Sequence, residues 1–414
     1  MGNWHSVNII RLADYINGFG FKPVHWTKDG LPIVRIEQLK NPDSKYDYCS
    51  IQIPENNIID NGDLIFSWSA SLFLKIWDRE KAALNQHLFK VIPNEQTDKL
   101  FLKYLLEYNL EELTKAAHGS TMQHITRKEL AQFKAYIPKE KFEQTRIAEK
   151  LSIADEAIAH TEALIAKYQR IKTGLMQDLL TCGIDENGTI RSKATHKFVV
   201  KNGIEVPEEW EVEQIENHCI HSAFGPRFPG NLYSISGNIG TLRTTDLDTE
   251  GNINYKTIPF ANLNIKDFES HLLIDDDLLI TRSGTVGVVS VFKKQTFHVI
   301  PAAFLIRFRL KNSILPEFLR FYFRNEIGKR KLLDIAEGGV QKNIRGSSIL
   351  KLFVPIPSPV EQKEINKRLS QIENLIQDHD ILLSKLQSLK TGFMQDLLSG
   401  KVRVKIDKEL ETNN

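Results

Sequence analysis

Cysteine is scarce in this chain of 414 residues: only Cys49, Cys182 and Cys219, widely spaced and with no Cys-x-x-Cys pair. That excludes a disulfide framework and a cysteine-built zinc site, and it points to a reducing compartment. Long apolar runs are missing too. No stretch reaches the roughly 18–20 residues needed to cross a bilayer. The chain does not open with a basic stretch followed by an apolar one, so a secretory signal is not expected. Charge of one sign is also lacking: 54 Lys and Arg face 52 Asp and Glu, a net of +2. Bulk charge therefore does not hold this protein to nucleic acid, although local basic patches remain open to it.

The common catalytic signatures are absent as well. There is no GxxxxGK[ST] phosphate loop, no GxGxxG after a strand and no HExxH. There is no [DN]PP[YF], the segment that grips a flipped base in amino-methyltransferases. RSGTVG (282–287) has the composition of a phosphate loop but reads as a β-turn between strands. His87, His118, His124, His221 and His298 are scattered, without metal-ligand spacing. Neither catalytic nor metal-ligating residues are assigned. A chain of this length holds two or three domains, and these domains are expected to bind rather than to catalyse.

What is present is a repeat. Residues 172–180 read KTGLMQDLL and residues 390–398 read KTGFMQDLL. The likeness extends upstream without gaps to EQTRIAEKL, from Glu143, and EQKEINKRL, from Glu361. Within each copy, one position in every three or four follows a heptad seam. The first copy has Ile147, Leu151, Ala154, Ile158, Thr161, Ile165, Tyr168, Lys172, Leu175 and Leu179 there. The second has Ile365, Leu369, Ile372, Ile376, His379, Leu383, Leu386, Lys390, Phe393 and Leu397. Both seams turn polar at the same two places, and a polar residue in a seam can fix register. Met176 and Met394 adjoin the last turns. Pro138 and Pro359 suit helix starts, and Gly183 and Gly400 suit helix ends. Each helix of about 38 residues would run roughly 57 Å. The simplest partner for each is the other, packed antiparallel about a pseudo-twofold axis.

The expected fold is α+β (mixed α/β): two recognition domains separated by two long antiparallel coiled-coil helices, with an internal repeat. The domains span 1–140 and 204–358, and the helices span 141–181 and 359–399. Residues 182–203 read as a polar linker and 400–414 as a C-terminal tail. IPENNIIDNGDLIFSWSA and LLIDDDLLITRSGTVGVVSVF read as strands with tight turns. Residues 100–113 and 315–333 read as helices. Trp4 and Trp210 mark equivalent starts of the two halves.

Loops that mix Gly, Ser, Thr, Gln, Arg, Lys and aromatics are suited to reading DNA. In the first half they supply Lys22, Trp26, Lys28, Trp68, Ser69, Gln123, His124 and Arg127. In the second they supply Arg227, Arg282, Ser283, Thr285, Gln341, Lys342, Asn343 and Arg345.

The two KTG[LF]MQDLL helix ends, GIEVPEEWEVEQI (203–215) and the strand pairs DNGDLIFSWSASLFLKIW and DDDLLITRSGTVGVVSVF carry a specific resemblance. Together they are similar to the DNA specificity subunits of type I restriction–modification systems, the HsdS family. The resemblance implies that each half is a target-recognition domain reading one part of a bipartite, asymmetric site in double-stranded DNA. It implies that the helices set the unread spacer and dock two modification subunits through Ile147, Leu151, Ile158, Ile165, Lys172, Met176, Leu179, Ile365, Leu369, Ile376, Leu383, Lys390, Met394 and Leu397. Restriction subunits would join them. S-adenosylmethionine, ATP and Mg would then be used by those partners, this chain binding no cofactor and acting in a bacterial or archaeal cytoplasm. Two alternatives stay open: a specificity chain serving a fused methyltransferase–nuclease, or a coiled-coil scaffold that binds no DNA. One departure stands out. SWSASL (67–72) lacks the Gly-Thr of TRSGTV (281–286), so the first half's turn is expected to differ.

Overall fold

A computed structural model describes residues 4–41, 43–116, 124–338 and 342–404. Gln123, Gln341 and residues 405–414 of the expected tail lie outside the described residues. The chain divides into two compact units, Met1–Ala163 with Ile381–Asn414, and Leu164–Asp380. The division falls inside both long helices, Lys141–Thr181 and Pro359–Leu398. Each unit therefore takes the first part of one helix and the last part of the other.

The first unit holds a four-stranded antiparallel sheet in the order Ala13–Asn17, Leu88–Pro93, Leu64–Ser67, Phe73–Ile76. A second sheet runs Asp47–Cys49, Leu31–Val34, Ala82–Leu84, Ile58–Ile59, with its central pair parallel. The apolar run Leu64-Ile65-Phe66 explains why both layers are needed. Alternate side chains of a strand point to opposite faces. Leu64 and Phe66 enter one buried cluster with Trp4, Ile147 and Leu151, while Ile65 enters another with Val34 and Trp77.

The second unit repeats the plan. Its main sheet runs Cys219–Phe224, Leu305–Leu310, Leu278–Thr281, Val289–Val291. Leu278 and Ile280 join the cluster of Trp210, Ile365 and Leu369, while Leu279 packs with Leu242 and Phe292. A smaller sheet runs Phe260–Ala261, Ile239–Leu242, His298–Pro301, its last pair parallel. In each unit an antiparallel strand pair joins the start of the domain to its end: Trp4–Asn8 with Lys134–Pro138, and Glu211–Gln214 with Phe353–Ile356.

Three local expectations are corrected. Residues 100–113 form two helices, Lys99–Tyr108 and Leu110–Ala116. Residues 315–333 also form two, Pro316–Arg324 and Glu326–Asp334, because Asn325 leaves helical geometry and caps the second by accepting from the Ile327 N–H (3.0 Å). The polar stretch 182–203 is folded. Ile184 is buried, Phe198–Lys201 pairs with Ile204–Pro207, and Arg191 is 8% exposed. One of its polar residues, Arg191, enters a buried ion pair with Glu361, while Glu186, Asn187, Ser192, Lys193 and Lys197 stay exposed.

Candidate DNA-reading turns and helix seam

The strongest likeness between the units is polar. Glu143 and Glu361 open the two copies of the repeat. Trp4 Nε1 donates to Glu143 (3.1 Å), and Trp210 Nε1 donates to Glu361 (3.1 Å). Arg403 donates twice to Glu143 (2.8 and 3.0 Å), and Arg191 donates to Glu361 (2.5 Å). The next residues are used alike. The Gln144 side chain accepts from the Asp98 N–H and donates to the Pro138 carbonyl. The Gln362 side chain accepts from the Leu315 N–H and donates to the Pro357 carbonyl. Gly183 has φ 65°, and a Cβ there would lie 2.3 Å from the Trp210 ring. Gly400, at φ 73°, sits likewise against Trp4. Glycine thus ends each helix by close approach as well as by conformation.

Within each unit the helix segments run antiparallel, and the polar seam positions explain themselves. Thr161 Oγ1 donates to the Ala157 carbonyl (2.7 Å), and His379 Nδ1 contacts the Leu375 carbonyl (2.7 Å). Each satisfies itself on its own preceding turn. The lysines cross over. Lys390 pairs with Asp155 (2.5 Å) in the first unit, and Lys172 pairs with Glu373 (2.9 Å) in the second. Under the repeat, Asp155 is equivalent to Glu373 and Lys172 to Lys390, so the two ion pairs are reciprocal. Burial alone would raise the Glu373 pKa, but Arg320 and Arg324 outweigh it and lower the group to about 2. Asp155 is also lowered, against burial, by Lys390 and the Tyr104 hydroxyl. A polar recess of about 1380 Å³ in the second unit is lined by Lys172, Glu250, Arg320, Arg324 and Glu373, whose charges pair with one another.

Most of the helix residues named from the sequence as docking positions face inward. Ile147, Leu151, Leu179, Ile365 and Leu369 are 0–1% exposed. Ile165, Met176 and Leu397 are buried, and Ile158, Ile376, Leu383 and Met394 half-buried. They build seam and core because heptad positions point at the neighbouring helix. The outward apolar residues are others: Phe142, Ile153, Ile381, Leu382, Leu389 and Phe393 in the first unit and Ile171 and Val360 in the second. Phe393 departs from its expected seam place and is 46% exposed.

The strand-linked turns differ in length, as expected, yet close on the same bond: Phe66 pairs with Leu74, whereas Ile280, its equivalent, pairs with Val289, one residue further along. Ser67 Oγ donates to the Ser71 carbonyl (2.5 Å), and Thr281 Oγ1 donates to the Thr285 carbonyl (2.5 Å). Ala70 takes φ 58° where Gly284 takes 79°. A single alanine tolerates the left-handed region at a cost of about 1–2 kcal/mol, so the missing glycine does not prevent the shared closing bond. The Ile125 N–H bonds the Trp68 carbonyl (3.0 Å), and the Ile344 N–H bonds the Arg282 carbonyl (3.0 Å). Ser69 bridges to His124 and Ser283 to Asn343. In both units the structure therefore brings the turn together with described residues of a second candidate segment, His124 and Ile125 or Asn343 and Ile344.

Around the first turn, the Trp68 ring lies 6.0 Å from His87, 5.5 Å from Phe89 and 5.7 Å from His124. Around the second, the Arg282 guanidinium lies 4.5 Å from the centre of the Phe224 ring, with Phe304 bonded to its main chain. Phe89 and Phe304 were not singled out from the sequence, and His87 was named only among the scattered histidines. Only strand pairing carries them to the turns. Ser69 is 5% exposed, so its side chain is withdrawn from any outside ligand. Arg127 is committed to the Tyr15 carbonyl, and Arg345 to Glu337 (2.8 Å). Lys22, Trp26 and Lys28 belong to another loop, beside the second sheet of the first unit, where Trp26 stacks on Arg35 (5.5 Å). Arg227, Thr285 and Lys342 are exposed.

Among the described residues, no group of three or more His, Cys, Asp and Glu could hold a metal, and no helix is long and apolar enough to cross a membrane.

Comparison with known proteins accords with this architecture. The family described as the type I restriction modification DNA specificity domain matches residues 1–170 and 207–387. The EcoBI specificity subunit of Escherichia coli, a type I restriction enzyme subunit, is 26% identical, over 89% of this chain and 79% of that one. The MjaVIII specificity subunit of Methanocaldococcus jannaschii is 26% identical, over 96% and 93%. The crystal structure of a type I restriction–modification S subunit from M. genitalium shares the fold, with a TM-score of 0.61 at 15% identity over 98% and 97% of the two chains.

Proposed function

The chain belongs to the type I restriction modification DNA specificity family, and from that premise we propose that it selects the DNA site for a type I restriction–modification complex without performing chemistry itself. Each recognition domain reads one part of a bipartite, asymmetric site in double-stranded DNA. The observation that carries this reading is the duplicated turn. One closing bond is used twice, with Trp68 following the strand in one unit and Arg282 in the other. Two related turns with unlike residues at the same place are what two different half-sites require, since base edges rather than the uniform backbone carry sequence information.

Modification and restriction subunits supply methyl transfer from S-adenosylmethionine and ATP- and Mg-dependent cleavage, in a cytoplasm. Two modification subunits dock on the repeated helices. The apolar residues Ile381, Leu389 and Phe393, which remain outside the seam, support that role for the second helix. The test is co-expression with the modification subunit, followed by mapping of N6-methyladenine across a host genome. A gapped, asymmetric motif methylated on both strands is the expected result. A stable complex that adds no new motif would favour a scaffold instead.

A further inference from the structure

Arg282 is held in an unusual way for an arginine of the second unit. Its main chain is pinned from both sides: its N–H donates to the Phe304 carbonyl (2.9 Å), and its carbonyl accepts from the Ile344 N–H (3.0 Å). Its side chain is fixed by Nε donating to Asn343 Oδ1 (3.3 Å) and by the Phe224 ring beneath the guanidinium. Neither holding group is charged. By contrast, Arg243, Arg309, Arg320, Arg324 and Arg345 pair with carboxylates, and the buried Arg307 spends its terminal nitrogens on the Ser270 and Leu272 carbonyls and His221. Among the described residues no acid forms an ion pair with Arg282, and its hydrogen bonds leave the two terminal nitrogens uncommitted. The result is a planar cation, oriented but not neutralised, on a turn whose next residues, Gly284 and Thr285, are exposed.

A guanidinium restrained in this way presents two parallel N–H groups. That fork fits the O6 and N7 acceptors of guanine in the major groove. A phosphate oxygen also accepts from arginine, but phosphates are identical in both half-sites, and a phosphate contact would be expected at the equivalent place in both units. The first unit has Trp68 there, which has no fork. We propose that Arg282 is a specificity-determining residue that reads one guanine in the half-site of the second recognition domain, with Asn343 and Phe224 as its positioning residues.

This inference rests on the site-selecting role argued above, and the experiment separates the two. The complex of this chain with its modification subunit is incubated with a library of randomised duplexes, and the bound fraction is sequenced. Wild type is expected to enrich a bipartite motif with a guanine in one half. Arg282→Lys keeps the charge and loses the fork. It should lower the preference for that guanine on the order of tenfold or more, leaving the other half unchanged. Arg282→Gln should do the same, and Asn343→Ala, which frees the fork, should relax the same position more weakly. Trp68→Phe should leave it untouched. An unchanged motif in both Arg282 variants overturns the assignment, as does uniform weakening for all sequences, the mark of a phosphate contact. If wild type enriches nothing, the site-selecting role falls and this inference with it.

Discussion

Two carboxylates that look alike in sequence differ in what they compensate. Glu361 accepts from the Trp210 indole, the Ile184 N–H and Arg191, whose side chain is 9% exposed. Glu143 accepts from Trp4 and from Arg403, whose side chain is 41% exposed. Removing a carboxylate leaves its arginine unpaired, and the cost is largest where water cannot reach it. Glu361→Ala should therefore destabilise the protein by about 3–5 kcal/mol and Glu143→Ala by distinctly less, as read from urea unfolding midpoints. Glu373 sets a pH dependence. Its pKa, near 2 in the fold, lies below the ordinary 4.5. Its contribution is thus complete above pH 4.5 and is lost as pH falls toward 2. It amounts to about 3 kcal/mol at most. Glu373→Gln should lower stability at pH 7 and flatten the acid side of the stability profile between those values, measured by chemical unfolding at stepped pH.

At the scale of the element, the repeated helices are tuned to pair with each other. Their seam lysines are not tolerated defects, since each meets an acid on the opposite helix. Reversing one charge sets like against like in a partly buried seam. Lys390→Glu should be clearly destabilising, and Asp155→Lys in the same chain should restore part of the loss. A coupling of about 1–3 kcal/mol is expected from a double-mutant cycle. Additivity of the two changes would show that the pair contributes no register. The turns teach a parallel lesson. SWSAS and TRSGT keep a hydroxyl residue first, a serine third and a hydroxyl residue last, and in both the first hydroxyl bonds the carbonyl of the last.

For the whole molecule, the proposed role makes helix length a functional quantity. Seven residues inserted into both helices keep both seams in register and add about 10 Å at 1.5 Å per residue. The spacer of the recognised site should grow by about three base pairs, read from the methylation motif of the complex. Insertion into one helix alone displaces one lysine from its acid and should impair assembly. A spacer that stays fixed in the double insertion would remove the ruler from the account. The near-neutral charge of +2 predicts that the chain alone binds duplex weakly. Filter binding with and without the modification subunit measures this.

Periodicity and repetition by themselves determined the two helices, their polar exceptions and the duplicated plan, because local spacing and self-similarity are written in one dimension. The matched Glu-Gln pair opening each copy already held the signal for the Trp–Glu–Arg clusters. Its meaning stayed hidden, because the tryptophans and arginines that complete them lie up to 260 positions away. Only the tertiary structure decided which helix residues face outward, that Ser69 is withdrawn, that two turns of different length close on the same bond, and that Phe224, Phe304 and Asn343 gather round Arg282. Those facts depend on strand register and on contacts between distant segments. A side chain's accessibility is a property of its neighbours, not of its own place in the chain.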